Sequence, residues 1–404
     1  MPEPVHPSEE ARVRTLVFAP RYPPAYRGGG PIRTLEALAR TAPKRFMVRV
    51  VTRDRDHGVD EPLPVDVEKW TTRDGVEVRY THVERLCRHV SALVAAREVR
   101  PELLYANSFF DFRLSIVPQV LNALGWFGRP VLLVAPRGEF GAGAIGSKSM
   151  KKQAFIAAYR LLRLPARVTW HASSALEEAD VRRLWGADVR VVVRQNDTLL
   201  PAESDLSGIP AGPSSDPLAL VSVGRLVEHK GLHLVIEGLR SAAAPVTLDV
   251  YGPAEDVAYR DRCVALVAEL PEHVVVRFHE SLPHDRVRAT LKNYDAMVMP
   301  TAGENFGHVI AESLSVACPV ICSDTTPWSS RLAAGGGVIV PTRSAENWGG
   351  VVSTYAELSA VARVDARRLA GRAYDAWQLE ETQPHVFDLA MDPSNVRRAP
   401  QGHA

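Results

Sequence analysis

The chain has 404 residues, too long for one ordinary core and long enough for two domains of the common size. Its 48 Lys and Arg nearly cancel 47 Asp and Glu, which argues against a nucleic-acid binder, and an apolar fraction of 46% argues against a disordered chain. No run of about 18 apolar residues could span a bilayer, and neither the four scattered cysteines nor the N-terminal residues suggest an oxidising or secretory route, so the expected location is cytoplasmic.

The first dozen residues are polar and lack periodicity, and a polar tail is expected over residues 1–12. Short β-branched runs then alternate with amphipathic helical patterns, the signature of a parallel sheet layered by helices. In chain order the first half predicts a strand at 15–19, a helix at 31–42, a strand at 46–52, a helix near 84–98 and a strand at 103–106. Further strands follow at 131–135, 167–171 and 189–194, with helices between them. Residues 201–216, crowded with Pro, Ser, Gly and Ala, read as a linker. The alternation then restarts with strands at 218–223, 246–251, 274–278, 296–300 and 319–323. Helices are expected at 232–241, 258–270 and 307–317, and onward to about residue 377. The predicted organisation is α/β: two Rossmann-like, doubly wound domains at 13–200 and 217–380, facing across a cleft, with a C-terminal tail over 381–404.

The segment richest in chemistry is Met299 to Trp328, where a strand runs into Thr301, Ala302, Gly303, Glu304, Asn305, Phe306, Gly307 and His308 before a helix. Gly303 and Gly307 remove side chains where backbone can approach a ligand, and the unpaired amides opening the helix suit a phosphate. Glu304 and Glu312, eight positions apart, can each accept hydrogen bonds from sugar hydroxyls. Taken alone, the pair fits an exposed loop Glu and a solvated helical one better, because Glu residues eight apart are common. A second cluster, Val221 to Gly231, ends a strand in Gly224 and Arg225 and continues to Lys230. Two cations there can neutralise a diphosphate and stabilise the charge on a leaving group, a role otherwise given to a divalent metal. Gly252 ends the next strand, on the same donor side.

Gly224-Arg225-Leu226 through Lys230-Gly231, with Glu304 and Glu312 in a Glu-x7-Glu arrangement, resembles family 4 of the retaining glycosyltransferases, which have the GT-B fold. Pro300-Thr301 through Asp324-Thr325-Thr326-Pro327-Trp328, Pro136-Arg137-Gly138-Glu139 and His171-Ala172-Ser173-Ser174 extend the resemblance over about residues 14 to 380. The resemblance implies that Arg225 and Lys230 hold the diphosphate, that Glu304 contacts the donor sugar and Glu312 the ribose, and that Asn305, Phe306 and Gly307 complete the cradle. It also implies retention of anomeric configuration with no enzymic nucleophile; consistently, no nucleophile and base pair stands out. Gly28, Gly29 and Gly30 occupy the place of the family's glycine-rich loop on the acceptor side. The sequence departs from the pattern at the strand ending in Ala135: many relatives carry a donor-touching histidine there, and Arg137 is the candidate for its role. Ala317 stands where relatives favour glycine, a change expected to affect packing only.

His171 ends the next strand and is a candidate acceptor-side residue, although a lone His beside Trp170 also fits a satisfied structural role. Asp54-Arg55-Asp56 looks like a metal-binding DxD but lies in a polar loop, and Cys318 and Cys322 read as buried thiols, so no metal and no cofactor is expected. Lys148, Lys151, Lys152, Arg160, Arg163 and Arg167 share a stretch with Phe155, Ile156, Tyr159, Leu161 and Leu162, a basic amphipathic segment suited to peripheral contact with anionic lipid.

The expected activity is transfer of a hexose-type sugar from a nucleoside-diphosphate donor, with UDP favoured, to a hydroxyl of a glycan, lipid-linked saccharide or small molecule, as in polysaccharide biosynthesis. The alternatives are a GT-B nucleotide-sugar 2-epimerase, a pseudo-glycosyltransferase and a non-catalytic sugar-nucleotide-binding module. A dinucleotide oxidoreductase is disfavoured because no strand leads into G-x-G-x-x-G with a downstream acid.

Overall fold

The computed structural model describes residues 12–141, 150–209, 217–380, 383–392 and 394. The chain divides into two compact units: one runs to Leu199 and resumes at Gln383, and the other spans Leu200–Thr382.

The first unit is built on eight strands, β1 (Val13–Phe18), β2 (Phe46–Arg53), β3 (Thr71–Arg73), β4 (Val76–Thr81), β5 (Leu103–Ala106), β6 (Val131–Val134), β7 (Thr169–Ala172) and β8 (Arg190–Val193). Their order is β3-β4-β2-β1-β5-β6-β7-β8, parallel except for the β3–β4 hairpin. Strands covered on both faces must be apolar throughout, and all four residues of β5 are fully buried. On β1, Leu16 and Phe18 face one layer and Val17 the other, as the two-residue period requires. The Leu16 face is covered by helices Leu86–Glu98, Val117–Ala123, Met150–Leu161 and Ala175–Trp185, and the Val17 face by helix Gly30–Arg40 and helix Val386–Met391.

Helix Val386–Met391 corrects the expectation of a tail over 381–404. Val386 and Phe387 are fully buried against Phe46 and Tyr105, and His385 Nε2 lies 3.1 Å from the Leu38 carbonyl. The apolar stripe is too short to be read as a helix by itself; its burial depends on a face supplied by residues more than 280 positions earlier. The expected linker is corrected as well. Its described part, 201–209, belongs to the second unit: Ser204 donates to Asp375 at 2.7 and 3.0 Å, and Asp205 pairs with Lys292. Residues 210–216, the tail's 395–404 and the N-terminal 1–11 lie outside the described residues.

The second unit holds β9 (Leu218–Val223), β10 (Val246–Tyr251), β11 (Val274–His279), β12 (Ala296–Met299), β13 (Val320–Ser323) and β14 (Gly337–Val340), ordered β11-β10-β9-β12-β13-β14 and parallel throughout. Numbered within the unit this is 3-2-1-4-5-6, the doubly wound order, whose crossovers reverse direction between β9 and β12. The carboxyl ends of those two strands are where such a sheet binds ligands. No helix among the described residues is long and apolar enough to cross a membrane.

Candidate functional site

β9 and β12 are direct neighbours, registered Leu220 on Ala296 and Val221 on Met297, so their exits start side by side. The β9 exit carries Gly224, Arg225 and the turn Glu228–Lys230; the β12 exit carries Thr301 to Gly307. Two contacts lock the loops together: the Ala302 amide donates to the His229 carbonyl at 2.8 Å, and His229 Nε2 lies 2.9 Å from the Gly303 carbonyl oxygen. Lys230 Nζ then meets Glu304 Oε1 directly, with the two side chains 22% and 15% exposed. Residues 74 positions apart in sequence thus form a half-buried ion pair at the switch point.

Glycine makes this approach possible. Gly231 has φ of 71°, and a Cβ there would stand 2.3 Å from the Pro300 carbonyl oxygen and 2.7 Å from Arg343 Nη2. Arg343 Nε in turn donates to that carbonyl at 3.1 Å. Gly252 has a different reason for being small: its Cβ would lie 1.8 Å from the Gly224 carbonyl oxygen, so the β9 and β10 exits could not nest. Arg225 leaves the same turn, pairs with Glu255 at 2.9 Å and keeps about half its side chain in solvent.

The β12 loop is braced from below. Thr325 Oγ1 donates to the Thr301 carbonyl at 2.8 Å, the Glu304 amide donates to the Thr325 carbonyl at 3.3 Å, and Trp328 Nε1 donates to the Phe306 carbonyl at 2.6 Å. Trp328 and Trp377 pack under Phe306, which fixes Gly307 at φ of 80° as the cap of helix His308–Leu314. The first amides of that helix have no intrahelical acceptor by position. Glu312 lies on the helix and is 2% exposed, with Oε1 3.2 Å from Nδ1 of His284, which opens helix His284–Leu291. His284 was not singled out from the sequence; the Leu282-Pro283-His284-Asp285 helix start was its only signal.

In the first unit, the switch point falls between β1 and β5. The Gly28 to Gly30 loop leaves β1 there; the amides of Tyr26 and Arg27 donate to Asp56 at 2.9 and 3.1 Å, and Gly29 takes φ of 67° ahead of the helix. Asp56 therefore serves the loop. Asp54, also buried, pairs with Arg55, and no group of three or more His, Cys, Asp or Glu among the described residues is arranged to hold a metal.

Arg137 donates from Nε to Asn107 at 2.8 Å, from Nη2 to Tyr105 Oη at 2.5 Å and from Nη1 to Asn196. His171 is 1% exposed, with Nδ1 3.1 Å from Tyr105 Oη and Nε2 3.0 Å from the Arg194 carbonyl oxygen. Burial, and then the charge of Arg137, hold its imidazole well below the usual histidine range, while burial pushes the Tyr105 hydroxyl up to about 12. The structure thus gives both residues internal partners at the carboxyl ends of the strands. Glu177 ties two further motif segments together, accepting from the Gly138 amide at 2.7 Å and from the Ser173 amide and hydroxyl at 2.7 and 2.8 Å. Of the basic segment, Lys148 lies outside the described residues, and Arg160 is spent on the Leu184 carbonyl and the Trp185 ring.

Similarity to known proteins agrees with this geometry. Residues 210–360 match the family Glycosyl transferases group 1. Over 137 residues the chain is 28% identical to the Salmonella typhimurium protein WcaL, named for a colanic acid biosynthesis glycosyltransferase; the match covers 32% of this chain and about a third, 34%, of the length of that relative. Among solved structures, Anabaena HepE in complex with UDP and glucose superimposes with a TM-score of 0.63 at 16% identity, covering 92% of this chain and 99% of HepE. Sucrose-phosphate synthase of Thermosynechococcus elongatus gives 0.67 at 17%, covering 94% and 100%. The lipopolysaccharide glycosyltransferase WaaG gives 0.57 at 15%, covering 94% and 98%. The two doubly wound sheets and the structural likenesses together identify a chain of GT-B fold, and residues 210–360 of its second unit are similar to the glycosyl transferases of group 1.

Proposed function

We propose that this chain is a retaining, metal-independent glycosyltransferase that moves a hexose-type sugar from a nucleoside diphosphate, UDP being favoured, to a hydroxyl of a glycan, lipid-linked saccharide or small molecule. The observation that carries the reading is the Lys230 and Glu304 pair, formed by two strand exits at the switch point. It puts a cation for a diphosphate beside a carboxylate for sugar hydroxyls, which is what a nucleotide sugar presents across its scissile bond. HepE, which binds UDP and glucose, supports the donor class.

In this mechanism the acceptor oxygen forms a bond to the anomeric carbon on the face from which the diphosphate leaves. The bond from that carbon to the phosphate oxygen breaks, and the departing oxygen takes the acceptor proton. Lys230, Arg225 and the amides of Phe306 and Gly307 balance the charge gathering on the diphosphate, in place of a metal ion. Glu304 accepts from hydroxyls of the transferred sugar. Glu312, held by His284, accepts from the ribose, and the first unit's loops, including Gly28 to Gly30, select the acceptor.

The test is an NMR time course with a panel of nucleotide sugars and hydroxyl acceptors. The expected products are a nucleoside diphosphate and a glycoside of the donor's anomeric configuration, with Glu304→Gln inactive. Inverted product, epimerised donor without transfer, or full activity in the Gln variant would overturn the reading.

A further inference from the structure

The carboxyl ends of the first unit's strands carry the loops discussed above, but a cavity also opens at their amino ends. Arg129 and Pro130 lead into β6, Arg167 and Val168 lead into β7, and between them lies a cavity of about 300 Å³. Its inner wall is polar and specific. Tyr159 Oη donates to Gln119 Oε1 at 2.5 Å, and Gln119 Nε2 donates to Ser115 Oγ at 2.8 Å, so both are satisfied. Asn122 is not: it is 9% exposed, and its Oδ1 is buried without a hydrogen-bond donor. A buried acceptor left in this state costs about 1–3 kcal/mol, so the cavity favours a ligand that brings a hydroxyl. Arg129 and Arg167 stand at the mouth, exposed, and neither pairs with a carboxylate among the described residues.

The surroundings say what kind of molecule carries that hydroxyl. From Phe112 to Arg167 the sequence holds a single acidic residue, Glu139, and its carboxylate is turned onto Ser108 and the amides of Phe109 and Phe110. That stretch therefore brings two exposed arginines and no free carboxylate to the mouth, and of the acids at the neighbouring strand entries Glu102 is paired with Arg14. The segments that line the cavity also end in exposed apolar residues: Leu124 and Trp126 follow helix Val117–Ala123, and Leu161 and Leu162 close and follow helix Met150–Leu161, with Leu124 at 77% and Leu161 at 85% exposure. A soluble anion gives those side chains nothing to bury against. A bilayer surface does, with basic residues at the headgroups and the leucines below them; Trp126, its ring under the Arg97 guanidinium at 4.4 Å, is already partnered.

We infer that this cavity binds the headgroup of an anionic phospholipid, its phosphate between Arg129 and Arg167 and a headgroup hydroxyl donating to Asn122 Oδ1. The rim leucines Leu124, Leu161 and Leu162 enter the interface beside it. This site is separate from the glycosyl-transfer site and does not depend on that assignment.

The test is co-sedimentation of the full chain with vesicles of phosphatidylcholine alone, or mixed with phosphatidylglycerol or with phosphatidylmethanol, which matches its charge but lacks headgroup hydroxyls. Binding is expected to both anionic mixtures, with phosphatidylglycerol favoured by about 3- to 10-fold, the worth of one hydrogen bond. Arg129→Ala and Arg167→Ala should each weaken partitioning by about 5-fold and together by roughly 25-fold, while Arg372→Ala on the second unit leaves it unchanged. Asn122→Leu should erase the preference for phosphatidylglycerol and retain binding to phosphatidylmethanol. Equal binding to neutral vesicles, an unaffected double arginine variant, or no discrimination between the two anionic lipids would overturn the inference. A rise in melting temperature with glycerol 1-phosphate, without vesicle binding, would overturn the lipid assignment.

Discussion

Replacing Lys230 with Ala tests the charge-balancing role most sharply, because the structure separates its catalytic cost from its structural one. The Lys230 and Glu304 side chains are 22% and 15% exposed, between a surface pair and a buried one. Surface pairs contribute about 0–1 kcal/mol and breaking buried ones costs about 3–5 kcal/mol, so the expected loss of stability is about 1–2 kcal/mol. That leaves a folded protein, since neither β9 nor β12 loses a core contact. Catalysis should suffer far more. Removing one preorganised group that stabilises transition-state charge lowers turnover by about 10²- to 10³-fold, some 3–4 kcal/mol of barrier. Initial rates of donor consumption at saturating donor, read beside chemical unfolding curves, give both quantities on the same preparation. Lys230→Arg should be intermediate, because it keeps the charge and loses the fit against Glu304. A turnover within about 3-fold of the unmodified chain in a folded Ala variant would refute the reasoning, since the main cation would then be dispensable.

Gly231→Ala should destabilise the second unit by roughly 2–3 kcal/mol and impair transfer, because the new methyl meets the Pro300 carbonyl at a left-handed backbone position; urea unfolding measures it. His284→Ala should raise the donor KM by about 10-fold with little change in kcat, if its contact with Glu312 orients that carboxylate toward the ribose. Stability should decline as pH falls below about 6.5: His171 is held neutral by burial when folded, so the unfolded chain takes up the proton first, and the stability present above 6.5 is lost as pH drops toward the lower folded value. Unfolding curves at pH 7 and pH 5.5 should show a smaller acid loss for His171→Gln. Incubation with EDTA should leave transfer unchanged, and loss of activity restored by magnesium or manganese would contradict a cation clamp made of side chains.

The alternation of apolar runs exposed most of the two sheets, because strands buried on both faces leave a composition signal. β5, β9 and β10 have the predicted bounds. The short strands β3, β4 and β14 were not anticipated. The first two form a hairpin around Asp74 and Gly75, with φ of 49° and 80°, a turn the Asp-Gly pair signals on its own. β14 begins at Gly337, whose Cβ would lie 1.9 Å from the Val320 carbonyl oxygen, so its glycine serves a neighbour absent from the local pattern. Helix Val386–Met391 was illegible for the same reason, its partners being Phe46 and Tyr105.

At the site, strand exits and glycines were readable because backbone geometry is written locally. Pairings were not: nothing near Lys230 points to Glu304, and nothing near Arg137 points to Asn107 and Asn196. Those contacts exist because parallel pairing brings strand exits together.

The central claim is that side-chain cations and backbone amides receive the diphosphate at the β9 and β12 exits. A crystal structure with UDP bound addresses it directly. The account predicts phosphate oxygens within hydrogen-bonding distance of Lys230, Arg225 and the Gly307 amide, with the ribose on Glu312 and no metal bridging the phosphates. A diphosphate seated away from both exits, or coordinated through a divalent ion, would contradict it.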